Sequence, residues 1–308
     1  MRYTIRQLQY FVAAAEAGSI TLGAEKINIS QPSISAAIST LEREFGVQLF
    51  IRHHAQGLSL TAAGRRLLVE AKQLIRQAQA LYAVASEAAD TISGSLSVGC
   101  MVTMAPMVMP ELAHSFMAAC PRAAIRQTVA NQEWLLAALE RTEIDLALTY
   151  DLQIPTGIAF TPLARLPPYV MVGEMHPLAG HRRASLEELA EHPLILLDLP
   201  LSADYFLGLF LKEGLTPRIH SRSDHQEVVR TMVANGYGYT LANVRPRSDL
   251  ALDGRRLVRI DLAGEHRPMI IGTAVLGQLR PTRLLSAFLA HCQASISDAQ
   301  IPGMMPVV

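Results

Sequence analysis

Residues 30–50 read SQPSISAAISTLEREFGVQLF, and this stretch constrains the fold of the chain more than any other. Ile34, Ala37, Ile38, Leu41 and Phe45 recur at helical spacing, so one face must be buried against other elements. Ser30 suits an N-cap, and Pro32 fits a first turn, where its missing N–H has no intrahelical partner in any case. The other side carries Gln31, Pro32, Ser35, Ala36, Ser39 and Arg43. Most of these are short and uncharged. Such a low face lets another molecule come close.

Two shorter helices are expected before it. Leu8, Phe11, Val12 and Ala15 form one stripe that Gly18 stops, and Ser19 caps a second helix with Leu22, Ala24 and Ile27 inward. Helix, short turn and a helix presenting small polar groups from its N-terminal end is the helix-turn-helix arrangement. In a DNA major groove Gln can bridge adenine N6 and N7, Ser can donate or accept, and Pro and Ala can meet thymine methyls. The helix N-terminus also favours phosphate. An ordinary solvated helix face has the same residue types, so periodicity alone leaves both readings open. The following run, GVQLFIRHHAQGLSLTAAGRRLL, predicts a strand, a turn around Gln56-Gly57, a second strand and a helix from Thr61. That is a two-stranded wing, with Arg52, His53 and His54 near phosphates.

Charge agrees weakly. Residues 1–66 hold seven Lys/Arg against four Asp/Glu, and the remainder twenty against twenty-three. Half of the 308 residues are hydrophobic and 18% are charged, which excludes general disorder and leaves material for two or three domains. The cysteines Cys100, Cys120 and Cys292 are far apart and form no metal-ligand spacing, as expected of reduced thiols in a cytosolic protein. No signal-peptide core and no run of about 20 apolar residues is present, so a soluble, cytoplasmic protein without a membrane partner is expected. No nucleophile-elbow, metal-binding or dinucleotide motif occurs. The expectation is no catalytic residue, no metal and no cofactor.

From Thr61 to about Ile92 the chain predicts one long helix. Leu67, Leu68, Ala71, Leu74, Ile75, Ala78, Leu81, Ala85, Ala88 and Ile92 keep an apolar seam on one side. A second copy of the same helix is the economical partner for it, and packing on its own domain is the alternative. ISGS at 92–95 then reads as a hinge.

After the hinge, short apolar strands alternate with helices, which predicts a parallel sheet covered on both sides. Ligands in such sheets bind beyond the carboxyl ends of strands, near helix N-termini. SLSVGC ends at Cys100, followed by Val102 and Thr103, whose hydroxyl beside free N–H groups suits a carboxylate. Asn131, Tyr150, Ser202 and His225 follow other strands and are candidates for the same cleft; a local cap or loop role is the alternative for each.

The run LQYFVAAAEAGSITLGAEKINISQPSISAAISTLEREFGVQLFIR, closed by LSLTAAGRRLL, resembles the DNA-binding domain of LysR-type transcriptional regulators. HPLA, LEELAEHPLILL and VVRTMVANGYGYTLA resemble the effector domain of the same family. The resemblance implies an α/β chain with an all-α/winged-helix N-terminal domain over 1–60. A linker (dimerisation) helix follows over 61–92. An effector-binding domain over 93–308 is similar to periplasmic binding proteins, with lobes of approximately 95–163 plus 267–308, and 164–266. Carried over residue by residue, the family's DNA contacts fall on Thr21, Gln31, Pro32, Ser33, Ser35 and Arg52, with His53 beside them. Ala36 and Ser39 stand where many members have a basic side chain, and His54 and Gln56 where Arg is common, so operator preference does not carry over. The implied function is sequence-specific transcriptional regulation, as activator or repressor, under control of a small-molecule effector; the candidate cleft residues suggest a small organic acid. The implied partners are double-stranded DNA with dyad half-sites, the effector, further copies in a homodimer or homotetramer, and RNA polymerase. A redox-sensing regulator using cysteine chemistry is the alternative, and needs two thiols that can meet or one activated thiol.

Overall fold

The computed structural model describes residues 2–53, 57–87, 92–277 and 281–305. The chain divides into two compact units, residues 1–91 with a short loop at 141–143, and the rest from Ile92 onward.

The N-terminal unit begins with helix α1 (Ile5–Ala17), opened by a Thr4/Gln7 capping box and closed by Gly18 at φ 59°. Helices α2 (Ile20–Lys26) and α3 (Gln31–Phe45) follow. Leu8, Phe11, Ile34, Ile38 and Leu41 are buried together, so the predicted stripe of α3 is the core stripe. Leu22 departs from expectation: it is 57% exposed. Gly23 faces inward instead. A Cβ there would lie 2.9 Å from the Ala14 Cα, so the backbones of α1 and α2 touch and rotate Leu22 outward.

Strands β1 (Phe50–His53) and β2 (Gly57–Leu60) pair antiparallel as the wing, and α4 (Ala62–Glu87) leaves from it. Residues 54–56, at the expected turn with His54 and Gln56, lie outside the described residues, as do the side chains of Arg52 and His53. Along α4, Ala71 is buried, and Leu67, Leu68, Leu74 and Ile75 pack on the core formed by α1 to α3. The first half of the seam therefore serves its own domain. Leu81, Ala85 and Ala88 lie outside the described side chains.

The second unit holds two sheets. The first contains β3 (Gly94–Met101), β4 (Ala123–Ala130), β5 (Leu146–Tyr150), β6 (Ile158–Leu166) and, from far along the chain, β13 (Met269–Leu276). Its order is β4-β3-β5-β13-β6, and α5 (Ala105–Ala119), α6 (Gln132–Glu140) and α10 (Arg283–Ser295) pack on it. The second contains β7 (Tyr169–Gly173), β8 (Arg183–Ala184), β9 (Pro193–Leu197), β10 (Arg218–Ser223), β11 (Tyr239–Ala242) and β12 (Leu257–Leu262). Its order is β10-β9-β11-β7-β12-β8, with α7 (Leu186–Ala190), α8 (Ser202–Lys212) and α9 (Gln226–Ala234) as its helices.

The two expected lobes each hold one sheet, but the expected parallel sense needs correction, because both sheets are mixed: β13 runs antiparallel to β5 and β6, and β7 antiparallel to β11 and β12. The physical reason is the double crossover. The chain leaves the first sheet along β6 and re-enters it along β13 in the opposite sense, so the two paired strands must be antiparallel. The α/β class itself holds, with βαβ units at β3-α5-β4 and β9-α8-β10.

Candidate functional site

The first candidate surface is the start of α3. Gln31, Pro32 and Ser33 are exposed, Ser35 is half-buried, and Ile34 between them is fully buried. Ser30 occupies the N-cap position but does not cap the backbone; its hydroxyl lies 2.7 Å from that of Ser33. The first-turn N–H groups therefore lack a side-chain acceptor from this cap, which suits an approaching phosphate. Thr21 is exposed in the first turn of α2.

Polar contacts tie this helix, the wing and the neighbouring helices together. The Glu42 carboxylate accepts from the N–H groups of Leu49 (2.8 Å) and Phe50 (3.3 Å), joining α3 to β1. Thr61 donates to the Gln48 carbonyl at 2.7 Å and accepts from Gly64 at 2.9 Å, capping α4 against the same strand. Glu16 on α1 bonds Lys26 of α2 at 2.9 Å and Lys72 of α4 at 3.1 Å. Burial pushes the Glu16 carboxyl up, but the two lysines outweigh it and hold it below the usual range.

The second candidate lies where the two sheets of the C-terminal unit meet. A cavity of about 30 Å³ is lined by Thr103 from the first sheet's side, and by Gln226, Arg230, Thr240, Asn243 and apolar neighbours such as Phe206 from the second. Its volume holds one or two water molecules. None of the lining residues is acidic. Arg230 is 3% exposed; its guanidinium donates to the Ser248 and Leu250 carbonyls and to Glu227, while one terminal nitrogen meets only the Met171 sulfur, at 3.6 Å.

The residues singled out in the sequence are unequally placed. Thr103 and Tyr150 are brought together, hydroxyl to phenol at 2.8 Å, both buried. Burial raises the Tyr150 pKa, with hydrogen bonds from Thr103 and Asn243 acting against it, so the phenol stays neutral at ordinary pH. Val102 is half-buried, its N–H held by the Ala130 carbonyl at 2.9 Å. Asn131 caps α6, accepting from Trp134 N–H at 2.9 Å. Ser202 is 4% exposed at the first turn of α8, and its hydroxyl has no partner among the described residues. Just before it, Leu201 has φ 66°, in a tight turn closed by Ser202 N–H on the Pro200 carbonyl at 2.8 Å. His225 is exposed beside Asp224, and the next residue, Gln226, is the one that lines the cavity. Asn243 and Arg230 were not singled out from the sequence. Asn243 follows the buried strand β11, the same position relative to a strand that marked Thr103; Arg230, a lone cation inside an amphipathic helix, gave no such signal.

The thiols of Cys100 and Cys292 are both buried, which pushes Cys100 well above the ordinary thiol range and Cys292 up to about 12. Both are protonated at neutral pH and poor nucleophiles. Among the described residues no helix is long and apolar enough to cross a membrane.

Known proteins match this arrangement along nearly the whole chain. Residues 5–65 match the bacterial regulatory helix-turn-helix protein, lysR family, and residues 89–297 match the LysR substrate binding domain. A hydrogen peroxide-inducible genes activator of Pectobacterium carotovorum subsp. carotovorum is 31% identical over 238 residues, 77% of this chain and 78% of that protein. The crystal structure of HinK, a LysR family transcriptional regulator from Pseudomonas aeruginosa, superposes with TM-score 0.66 at 37% identity, over 96% of this chain and 99% of that one. Full-length CbnR complexed with its target DNA shares the fold at TM-score 0.67 and 22% identity, over 94% and 99% of the two chains. The chain belongs to the LysR family: it is a DNA-binding transcriptional regulator with a C-terminal effector-binding domain, and not an enzyme.

Proposed function

We propose that the effector is a small organic acid, bound at the junction of the two lobes against Thr103 and the donors opposite it. The observation that carries this reading is the cavity lining: a buried arginine, an asparagine, a glutamine and two threonine hydroxyls, without a carboxylate. A carboxylate ligand would meet charge-assisted donors there. Val102, Asn131, Tyr150, Ser202 and His225 do not line this cavity as it stands; they remain candidates for contact with the acid once the lobes part. A cavity of about 30 Å³ is far smaller than an organic acid, so binding requires the lobes to part. The effector then acts by favouring the parted arrangement, and it can shift that equilibrium only by its differential affinity for the two states.

On the DNA side, Gln31, Pro32, Ser33 and Ser35 reach base edges, Thr21 supports them, and Arg52 and His53 meet phosphates from the wing. The boundaries that fit this reading are 1–60 for the DNA-binding domain, 61–92 for the linker helix, and 93–308 for the effector domain. The protein works in the cytoplasm as a homodimer or homotetramer, placing two reading helices on dyad half-sites, with RNA polymerase as a further partner.

The test is a thermal-shift screen of the full chain against small carboxylic acids. An acid at 100 times its dissociation constant adds about 2.7 kcal/mol. A hit abolished by Thr103→Ala supports the assignment. A hit that Thr103→Ala leaves intact places the pocket elsewhere. Silence across the panel, together with peroxide-dependent operator binding lost in Cys→Ser variants, would favour the redox alternative.

A further inference from the structure

The segment after α10 does not end on its own lobe. Asp298 is fixed to Arg165 at the end of β6, accepting from its backbone N–H at 2.6 Å and from its guanidinium at 2.6 and 2.8 Å. A turn at Ser297–Gln300 follows, and Ile301 and Met304 are buried in the main core. Gly303, at φ +70°, lies against the first turns of α5, where an added Cβ would come within 2.4 Å of the Met107 carbonyl. The chain then reaches the other lobe. Met304 forms an antiparallel bridge with Pro246, Met305 N–H bonds the Arg245 carbonyl at 2.9 Å, and Arg247 reaches the Met304 carbonyl at 3.4 Å. Arg259 of β12 places a guanidinium nitrogen 2.7 Å from the Met305 sulfur.

These contacts matter because of where they land. Residues 243–256 connect β11 to β12, and the first two of them, Asn243 and Val244, line the cavity between the lobes. That connection is held by Tyr169, whose phenol donates to the Val244 carbonyl at 2.8 Å, and by Arg230 and Arg259 on its other carbonyls. The family match stops at residue 297, so the strap from Asp298 onward lies outside the part of the chain that the family match covers.

We propose that residues 298–305 are an interlobe strap, a third connection besides the two crossovers, which ties the lobes together across the cleft and sets how readily it opens. Its regulatory meaning rests on the reading of the cleft as the effector site; its mechanical action does not. A strap anchored at Arg165 on one lobe and at Arg245 and Pro246 on the other must detach, or drag residues 243–247 with it, when the lobes part. Interlobe contacts of this kind raise the opening free energy and lower apparent effector affinity by the fraction of protein that is competent to bind.

The experiment is hydrogen exchange on the full chain without any effector. Removal of residues 303–308 should speed exchange about tenfold in peptides covering 98–104 and 239–247, equivalent to about 1.4 kcal/mol in the opening equilibrium. Peptides from α6 and from α1 should not change. Because truncation could unfold the domain, a second variant supplies the opposite perturbation. Pro246 and Met304 are paired across an antiparallel bridge, a separation that accepts a disulfide. In the double variant Pro246→Cys, Met304→Cys, oxidation should slow exchange in the cleft peptides relative to the reduced form. Unchanged cleft exchange on oxidation, with acceleration spread evenly over the whole unit on truncation, would overturn the strap. Failure of the acid screen would leave this result standing, so the two readings fail separately.

Discussion

The Thr103 hydroxyl sits 2.8 Å from the Tyr150 phenol oxygen, and both side chains are all but fully buried at the carboxyl ends of β3 and β5. Neighbouring parallel strands deliver the two groups to one point, and Asn243 approaches the same phenol from the opposite lobe. Removing the Thr103 hydroxyl leaves the phenol short of a buried partner, at a cost of about 1–3 kcal/mol. Thr103→Ala is therefore expected to lower the melting temperature modestly and to abolish acid binding, while operator binding without effector is retained.

Substitutions on the reading helix should do the reverse. If Gln31 makes the proposed bidentate base contact, Gln31→Ala costs about 1–3 kcal/mol of discrimination, and Ser35→Arg fills the low face with a long cation. Operator affinity measured by anisotropy should fall, or the preferred sequence from a random duplex pool should change. Acid-induced thermal shifts should be the same as in the unmodified chain.

Gly64→Ala sets two effects against each other. Alanine in place of glycine favours a helix by about 1 kcal/mol. Here the new Cβ would lie 2.1 Å from the Leu49 carbonyl oxygen, a backbone atom of the wing that cannot swing away. The clash wins. The variant should unfold at lower temperature and bind DNA less well, since α4 and the wing can no longer seat together; a melting temperature at or above that of the parent would contradict this.

Glu16 gives a pH test of the N-terminal unit. Its folded pKa lies below the ordinary carboxylate value, so its contribution is present above the unfolded pKa and is lost as pH falls through the folded one. Glu16 is 37% exposed, and solvent screening keeps the contribution under about 1 kcal/mol. Glu16→Gln should be slightly less stable than the parent at neutral pH. The difference should shrink as pH falls below the unfolded value and vanish below the lower, folded one.

Local patterns carried much of this architecture, and tertiary events carried the rest. The stripe Ile34, Ile38, Leu41 and the stop at Gly18 were legible because helix period and left-handed glycine are local properties. Leu22 misled because a close approach of Gly23 to Ala14 turned its helix. The site followed the same division. Thr103 was legible from its place after a strand. Arg230 and Asn243 come to it from about 130 and 140 residues away, through packing that no local period encodes. The mixed sense of the sheets was hidden for the same reason, since β13 pairs with β5 across more than a hundred residues.

The most direct measurement is operator affinity of the full chain, by fluorescence anisotropy, across a titration of the acid that stabilises it, in parallel for the parent and Thr103→Ala. The account predicts that the acid changes affinity or the footprint in the parent, saturating with the thermal shift, and does nothing in Thr103→Ala. An acid that stabilises the protein yet leaves operator binding and footprint untouched in the parent would contradict it, because the cleft would then not be coupled to the reading helices.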